Sequence, residues 1–363
     1  MVANFARDVY QGVYNAEGLY HGQGRMIYAN KDVYDGEFKR GKRDGQGTLR
    51  WANGTCYAGE WQDDIIQGKG MMTLASGNIC EGEWRGNRMH GPGRMVCRNG
   101  DVYEGDYVAG LKEGIGTYKD RHGSVYQGEF KADKRHGKGL KTIPQSDGIA
   151  DVYEGDFTND AMTGHGLMKF GNGNMYEGEW EDGLMHGQGV LLYVSGSRYQ
   201  GEFRDDKENG QGTLSTQSGD LIQGEFVNGK VDGRATAQYG CGDTYDGEWY
   251  QDQKHGQGSH HFANGDVYEG CFKLESMEGK GRMVYKRGNS SYTGEWKTNK
   301  PHGHGCYHCY DDQRKYEGSW KGGKICGKGR MTWPNGDVLT GTWEKGVAVD
   351  AKFKAGEGVW NSL

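Results

Sequence analysis

Three histidines and two cysteines lie within nine residues near the end of the chain, in the run HGHGCYHCY at 302–310. Imidazole nitrogens and thiolates are ligands that zinc accepts in tetrahedral sites. In a β-strand, His304, Cys306 and His308 would lie along one face with Cα atoms ~6.6 Å apart. Cys309 would point to the other face and is a possible additional ligand. Because one strand rarely closes a tetrahedral site alone, we expect a two-fold related copy to supply the remaining ligands.

Two further residues could complete this site, and a simpler interpretation competes with it. His302 and Cys326 occupy the same position in neighbouring copies of a repeat, and either could assist. The simpler interpretation is a polar strand face that carries an incidental cysteine. The sequence leaves both open, and the hypothesis to test is a structural zinc at a contact between two copies.

The run is also one copy of a pattern that fills the chain, shown by YEGEWEDGLMHGQG at 176–189. Most repeats are 23 residues apart, and they follow one another almost end to end, so 1–363 is predicted to be one continuous array. Fifteen repeats begin at Tyr10, Tyr34, Tyr57, Cys80, Tyr103, Tyr126, Tyr153, Tyr176, Tyr199, Ile222, Tyr245, Tyr268, Tyr292, Tyr316 and Leu339.

Within each repeat, two stretches alternate with period two, which predicts half-buried strands. The first runs from an aromatic residue through a glycine at the third position to another aromatic residue at the fifth. The second follows a Gly-x-Gly element, and the polar stretch between them, such as EDGLMHG, is predicted to be a hairpin loop. Structural aromatic residues at the fifth position include Trp180, Trp249, Trp296, Trp320 and Trp343.

These patterns predict an all-β fold, an elongated single-layer antiparallel sheet of stacked 23-residue β-hairpins that forms a solenoid-like rod. About thirty strands at ~4.8 Å give a length on the order of 140 Å. Glycines at the third position and at the end of Gly-x-Gly share the aromatic face, so a ring can lie across the backbone there. The insertion at 143–151 predicts a longer loop and a bend. The divergent repeat at 339–363 predicts a cap on the sheet edge or a dimer contact.

Composition and spacing argue against several classes of function. A net charge of −6 disfavours nucleic acid as a partner. The N-terminus lacks an apolar signal region and no run approaches 18 apolar residues, so a cytoplasmic location is expected. Gly-x-Gly recurs in nearly every repeat with no helix after it, which disfavours a phosphate loop. The acidic residues at the fourth position form a row without a single cleft, so we expect no enzyme.

The pattern YEGEWxxGxxHGxG resembles the MORN repeat over essentially the whole chain. Fifteen repeats with nothing attached are similar to the all-MORN scaffolds of apicomplexan and kinetoplastid parasites. That resemblance implies a cytoskeletal scaffold in budding and cytokinesis, at a membrane-associated ring such as a basal or inner membrane complex. It also implies a homodimer through the C-terminal repeats and cytoskeletal protein partners. The alternative is a membrane adaptor that binds phospholipid headgroups through residues such as Lys69, Arg94 and Arg282.

Zinc analysis of protein purified without chelators tests the metal hypothesis. Stoichiometric zinc is expected, and Cys306→Ala should lower the zinc content because it removes a thiolate ligand. The lone cysteine Cys56 serves as the control, since Cys56→Ala should leave the zinc content unchanged. Absence of stoichiometric zinc, or an unchanged content in Cys306→Ala, would end the hypothesis.

Overall fold

The computed structural model describes residues 7–146, 148–356 and 360–362. Within these residues every regular element is a β-strand, and no helix is long and apolar enough to cross a membrane. The predictions made for the first six residues, for Asp147 in the insertion, and for residues 357–359 and 363 of the last repeat lie outside this part of the chain.

The chain divides into two compact units, Met1–Leu184 and Met185–Leu363. Compact unit 1 contains β1 (Val9–Tyr14), β2 (Tyr20–Ile27), β3 (Val33–Lys39), β4 (Lys42–Arg50), β5 (Cys56–Gln62), β6 (Ile65–Thr73), β7 (Ile79–Arg85), β8 (Arg88–Val96), β9 (Val102–Val108), β10 (Leu111–Lys119), β11 (Val125–Lys131), β12 (Lys134–Ile143), β13 (Asp151–Thr158), β14 (Ala161–Lys169) and β15 (Met175–Glu181).

Compact unit 2 contains β16 (Leu184–Leu192, beginning at the boundary), β17 (Arg198–Arg204), β18 (Lys207–Ser215), β19 (Leu221–Val227), β20 (Lys230–Gln238), β21 (Thr244–Tyr250), β22 (Gln253–His261), β23 (Val267–Lys273), β24 (Ser276–Tyr285), β25 (Ser290–Lys297), β26 (Lys300–Cys309), β27 (Lys315–Lys321), β28 (Lys324–Thr332), β29 (Val338–Glu344), β30 (Val347–Lys354) and β31 (Trp360–Ser362).

Each compact unit is an open, single-layer antiparallel sheet in which strands pair with their neighbours in sequence, from β1 to β15 and from β16 to β31. The predicted all-β sheet of stacked hairpins is therefore confirmed. The insertion forms the loop between β12 and β13, which stay paired up to Ile143 opposite Asp151. The bend expected there stays a prediction. In the last repeat β31 adds a further strand beside β30.

The hairpin loops are shorter than the sequence indicated, and that prediction was wrong. Between β5 and β6 the turn is only Asp63–Asp64, with φ of +48° and +72°. Two successive left-handed residues match a type I′ turn, which suits the right-handed twist of paired strands. The remainder of the expected loop belongs to the second strand, where a bulge interrupts the period-two alternation.

The first glycine of Gly-x-Gly lies inside this bulge. Gly59 pairs with Gly70 and Trp61 with Ile66, so three residues, 67–69, oppose Glu60 alone. Gly68 has φ of +72°, a left-handed conformation that glycine adopts without steric cost.

The second glycine has a different role, because a tyrosine ring lies on it. Gly105 and Gly116 are directly paired, and the ring of Tyr103 lies over both. A Cβ atom on Gly105 would lie 2.6 Å from Tyr103 Oη, and one on Gly116 would lie 2.6 Å from Tyr103 Cε2. Tyr103 Oη donates a hydrogen bond to the carbonyl oxygen of Asp106 at 3.0 Å. The ring is thus buried by its own hairpin.

The tyrosine also contacts the aromatic residue at the fifth position of its own repeat and of the next. Tyr57 meets Trp61 edge-to-face at 5.4 Å between ring centroids, and Trp84 of the following repeat at 5.5 Å. Trp84 Nε1 donates to the carbonyl oxygen of Gly70 at 3.0 Å. Such aromatic pairs contribute ~0.5–1.5 kcal/mol each beyond burial of area. They join each hairpin to its neighbour.

In each hairpin, side chains from the start of the second strand cover the aromatic face. They do so because the described residues form a single layer, with no helix or second sheet packed on this face. Ile66 pairs with Trp61 and Met89 with Trp84, and both are buried. Arg43 places its guanidinium 4.3 Å from the Trp61 ring. Burial raises the pKa of the Tyr57 hydroxyl to about 12, so it stays a neutral donor near pH 7. Sequence reasoning missed these covering residues.

Carboxylates join adjacent hairpins at both ends of the strands. At the hairpin turns, Asp64 Oδ1 accepts a hydrogen bond from the Arg43 amide of the preceding hairpin at 3.0 Å. At the opposite edge, Asp32 Oδ1 accepts one from the Ala52 amide at 2.8 Å. Amides that would otherwise be left without a strand partner are thereby satisfied.

Repeats that lack the tyrosine show why the glycine is needed. In the tenth repeat Ile222 replaces tyrosine, and Ala235 stands opposite Gly224. In the last repeat Leu339 replaces tyrosine, and Ala351 stands opposite Gly341. Without a ring above the pair, a methyl group is accommodated. In the fourth repeat, with Cys80, the Met89 methyl group lies over Gly93 and the glycine is kept.

We predict that Gly116→Ala destabilises the chain by about 1–3 kcal/mol, because the added methyl group collides with the Tyr103 ring. Tyr103→Ile also destabilises it through lost burial. Together the two substitutions reproduce the isoleucine and alanine of the tenth repeat. The double variant should therefore lose at least ~1 kcal/mol less stability than the sum of the two single losses. Urea denaturation followed by circular dichroism measures all three variants. Strict additivity would contradict the proposed contact.

Candidate interaction grooves on the polar face

The polar face of the sheet lies opposite the aromatic face and carries the alternate residues of each strand. Met71 of β6 stands between Ala58 of β5 and Glu81 of β7, and Lys69 stands opposite Glu83. The paired glycines lie between these residues and present bare backbone. A trough bordered by charged side chains therefore follows the glycine pairs.

Among the described residues, each compact unit has a large groove on this face. The first groove, of about 1180 Å³, runs from Gln11 to Pro92, and its lining includes Arg25, Lys69 and Glu81. The second groove, of about 1040 Å³, runs from Arg234 to His304. Acidic Glu269, basic Lys280 and Arg282, and the thiol of Cys271 are among the residues that line it. Both grooves therefore offer charges of both signs beside exposed backbone.

The acidic residues at the fourth position hold the bulges in place. Glu60 Oε1 accepts a hydrogen bond from the Lys69 amide at 3.1 Å, and Glu248 Oε1 accepts one from the Gln257 amide at 3.2 Å. Glu295 does the same for the His304 amide at 3.0 Å. Sequence reasoning treated these acids only as a row without a single cleft and missed this role, because their partners are backbone amides nine residues further along the chain.

Ion pairs also cross the polar face. Arg50 approaches Asp35 at 3.0 Å, and Arg234 approaches Asp246 at 3.6 Å. Burial raises the pKa of the Asp156 carboxyl, but hydrogen bonds from the Lys138 side chain and the His165 amide outweigh it, so that pKa lies below its usual range. Exposed pairs of this kind contribute little stability, and their charges remain accessible to a partner.

The residues of the zinc hypothesis lie on β26 as expected for alternate strand positions. His304 is exposed, Cys306 lies between Thr293 and Glu317, and His308 lies between Ser291 and Lys315. Two further candidates, His302 and Cys309, lie opposite Glu295 and Ser290, and Cys326 lies on β28. No group of three or more His, Cys, Asp or Glu side chains in the described part of the chain is placed to hold a metal.

Two features of this strand bear on metal binding. Burial and the nearby Glu317 carboxylate raise the pKa of the Cys306 thiol, although Lys315 opposes them. His308 Nε2 is buried without a hydrogen-bond partner, and its ring lies 4.5 Å from that of Tyr310. One copy thus supplies at most part of a site, and the intermolecular zinc stays a prediction.

The structural tryptophans occupy the aromatic face and not the grooves. Trp180, Trp249, Trp296, Trp320 and Trp343 are all buried. The first four donate Nε1–H to backbone carbonyl oxygens of the preceding hairpin, those of Gly166, Ala235, Gly281 and Gly305.

A buried polar cluster in compact unit 2 was not predicted. His260 replaces the apolar residue found at this position in other repeats, such as Met26 and Met168. Its Nε2 lies 3.1 Å from Asp243 Oδ2, and its ring stacks on Phe262 at 4.2 Å. The only signal in the sequence was a histidine in an apolar position.

Lys254 lies beside this histidine and adds to the effect of burial in disfavouring its protonation. Lys254 Nζ lies 3.2 Å from Glu275 and 4.8 Å from the centre of the Tyr239 ring. Burial and the Lys254 charge lower the pKa of His260 below its ordinary value, outweighing the Asp243 carboxylate. The folded protein therefore favours neutral His260.

Comparison with known families matches thirteen segments of the chain to the MORN repeat. These are residues 10–33, 34–56, 57–79, 80–102, 103–125, 126–147, 153–175, 176–198, 199–221, 245–267, 268–290, 292–314 and 316–338. Of the fifteen repeats in the sequence, the two without a match begin at Ile222 and Leu339, where the tyrosine is missing. No curated protein matches the chain.

Three solved structures have a distant likeness to the chain. The TCP domain of Drosophila melanogaster SAS-4, in complex with a proline-rich motif of Ana2, is 13% identical, with a TM-score of 0.29 over 50% of this chain and 90% of that one. A virginiamycin B lyase from Staphylococcus aureus is 11% identical, with a TM-score of 0.13 over 96% of this chain and 97% of that one. A streptogramin B lyase has the same identity and TM-score, over 99% of each chain.

We predict that the buried histidine makes stability depend on pH. A lowered folded pKa means that stability is complete above the unfolded value of about 6.5 and is lost as pH falls below it toward the folded pKa. The thermal midpoint should fall over this range and should fall less in His260→Met, which restores the pattern residue. The exposed His122 provides the control, since His122→Gln should retain the pH dependence of the unsubstituted protein. If the thermal midpoints of His260→Met and His122→Gln depended equally on pH, the role of the buried histidine would be contradicted.

Proposed function

Because the chain belongs to the MORN-repeat family, we propose that it is a non-enzymatic cytoskeletal scaffold. It would organise a membrane-associated ring or collar in cell division or budding, acting as a homodimer at the cytoplasmic periphery of a membrane. The MORN repeat is in general non-catalytic and is known in membrane-associated and lipid-binding proteins. The two grooves of the polar face are the observation that carries this proposal.

The grooves suit protein segments. Each is open, exposes backbone along the glycine pairs and alternates acidic with basic side chains. Repeat sheets bind partners over such extended surfaces, and charges of both signs set the register of a bound chain. Because the tyrosines are buried on the other face, changes on the polar face leave the aromatic contacts intact.

The C-terminal repeats are the proposed homodimer surface, and cytoskeletal proteins the other partners. The last hairpin exposes Val347 and Val349, at 65% and 54% of their surface, on a strand without Gly-x-Gly. A structural zinc held by β26 of two copies would strengthen this contact. A fragment from Tyr245 onward should then be dimeric in light scattering because it retains this contact, and a fragment ending near Gly240 should have lost it.

Phospholipid binding is the alternative function, supported by the basic residues of the same face. Lys280 and Arg282 line the second groove, but Glu269 and Glu295 line it as well. This mixture weakens a simple attraction to anionic headgroups. Liposome sedimentation at low and physiological salt separates the two functions, since a protein-binding scaffold shows no salt-dependent co-sedimentation.

Charge reversal in the first groove tests the scaffold. Lys69→Glu with Arg25→Glu should remove partners from a proximity-labelling census in cells, because the charges that set the register are inverted. Lys31→Glu with Lys39→Glu, at exposed positions away from the groove, matches the change in net charge and should retain the census. If both double variants labelled the same set of partners, binding in the groove would be contradicted.

A further inference from the structure

The first strand of compact unit 1 leaves one sheet edge without a partner. β1 pairs with β2, and the described residues place no strand on its other side. Val13 and Tyr14 are 63% and 54% exposed. A free row of amide and carbonyl groups on such a strand is a template for pairing with another chain.

The residues of β1 differ from those of the equivalent strands in the interior of the sheet. The strand reads VYQGVY and carries no charge. Its interior counterpart β9 reads VYEGDYV, with Glu104 and Asp106 on the polar face where β1 has Gln11 and Val13. Charged residues on an edge strand prevent pairing between molecules. Here the charges are missing on an edge strand, where they would have that effect.

Tyr14 shows the same lack of a partner on the aromatic face. Its interior equivalent Phe38 contacts Tyr34 of its own repeat and Tyr10 of the preceding repeat. In the described residues Tyr14 contacts rings of its own repeat alone, Tyr10 at 5.2 Å and Tyr20 at 5.8 Å. The strand thus presents half of the contact that joins repeats elsewhere in the sheet.

We propose that β1 pairs with β1 of a second copy in a two-fold antiparallel arrangement. Where two hairpins join in the interior, the third-position glycine faces a small residue. At most joins this is the second glycine of Gly-x-Gly, as Gly36 faces Gly24 and Gly59 faces Gly47, and at one join Gly247 faces Ala235. The same arrangement of small residues places Gly12 of both copies opposite each other at the two-fold axis. Tyr10 then faces Tyr14 of the second copy, and Gln11 faces its Val13. Cross-strand aromatic pairs of this kind stabilise antiparallel sheets.

A second copy fits this edge better through its own β1 than through its C-terminal edge. β30 reads VAVDAKFK, with Ala351 in place of the glycine and the charged Asp350 and Lys352 on either side of it, and β31 occupies its outer side along Lys352–Lys354. Self-pairing needs no complementary strand, and two-fold contacts are the commonest among homo-oligomers.

The assembly that follows from this contact rests on the proposed dimerisation through the C-terminal repeats. A chain with a different two-fold contact at each end joins two other copies, and the assembly continues as a chain or closes as a ring. A scaffold of a ring or collar requires such an extendable assembly.

Light scattering of the full-length protein with Gln11→Glu and Val13→Glu tests the edge contact. In the proposed register each glutamate faces a glutamate of the second copy, and like charges directly opposite oppose pairing. The average mass should fall at least twofold. Failure of the C-terminal dimer gives a different result. If only the β1 contact forms, the substitutions lower the mass from two copies to one. If both contacts form, they lower it from larger species to two copies. A mass equal to that of the unsubstituted protein would overturn the proposal.

Two controls separate edge pairing from folding. Acidic residues at these positions are what β9 carries, so circular dichroism and the thermal midpoint should be unchanged. Gln200→Glu, on β17 in the interior of its sheet, should leave the mass unchanged. A 1:1 mixture of the glutamate variant with Gln11→Lys, Val13→Lys protein should associate again through opposite charges. Loss of mass without this recovery would also overturn the proposal.

Discussion

A tyrosine ring lying flat on two paired glycines is the interaction on which the rest of the structure depends. A single-layer sheet has no second layer to bury its apolar face. Here the glycine pair lets the ring lie against the backbone, and eleven of the twelve tyrosines at this position are less than 2% exposed. This need accounts for a large part of the 67 glycines, since each such repeat requires two under the ring and one in the bulge.

The same constraint separates the two faces of the sheet. Contacts between hairpins are made by aromatic pairs, by indole N–H groups and by carboxylates at both ends of the strands, so each hairpin depends mainly on its neighbours. None of these contacts needs the second or fourth side chain of a strand except the acid that holds the bulge. The polar face can therefore vary in charge without loss of the fold, which suits a surface that binds partners.

Much of this arrangement follows from the repeat pattern, and the exceptions share one physical cause. The period-two alternation, the third-position glycine and the fifth-position aromatic residue predict the strands and their apolar face. The bulge was missed because a left-handed glycine such as Gly68 interrupts the alternation, and with it the role of Glu60 was missed. The partner of Glu60 is the Lys69 amide, and backbone donors leave no mark in the sequence. The buried His260 escaped notice because burial of a polar residue depends on neighbours such as Lys254 from a different strand.

Hydrogen exchange of the native full-length protein tests the central claim most directly. If the tyrosine on its glycine pair provides the local stability, amides of hairpins with a tyrosine should exchange slowly, as in β9–β10 and β17–β18. Hairpins that have lost it, β19–β20 and β29–β30, should exchange faster than their neighbours. Equal or slower exchange in β19–β20, which lies in the interior of its sheet, would contradict the account.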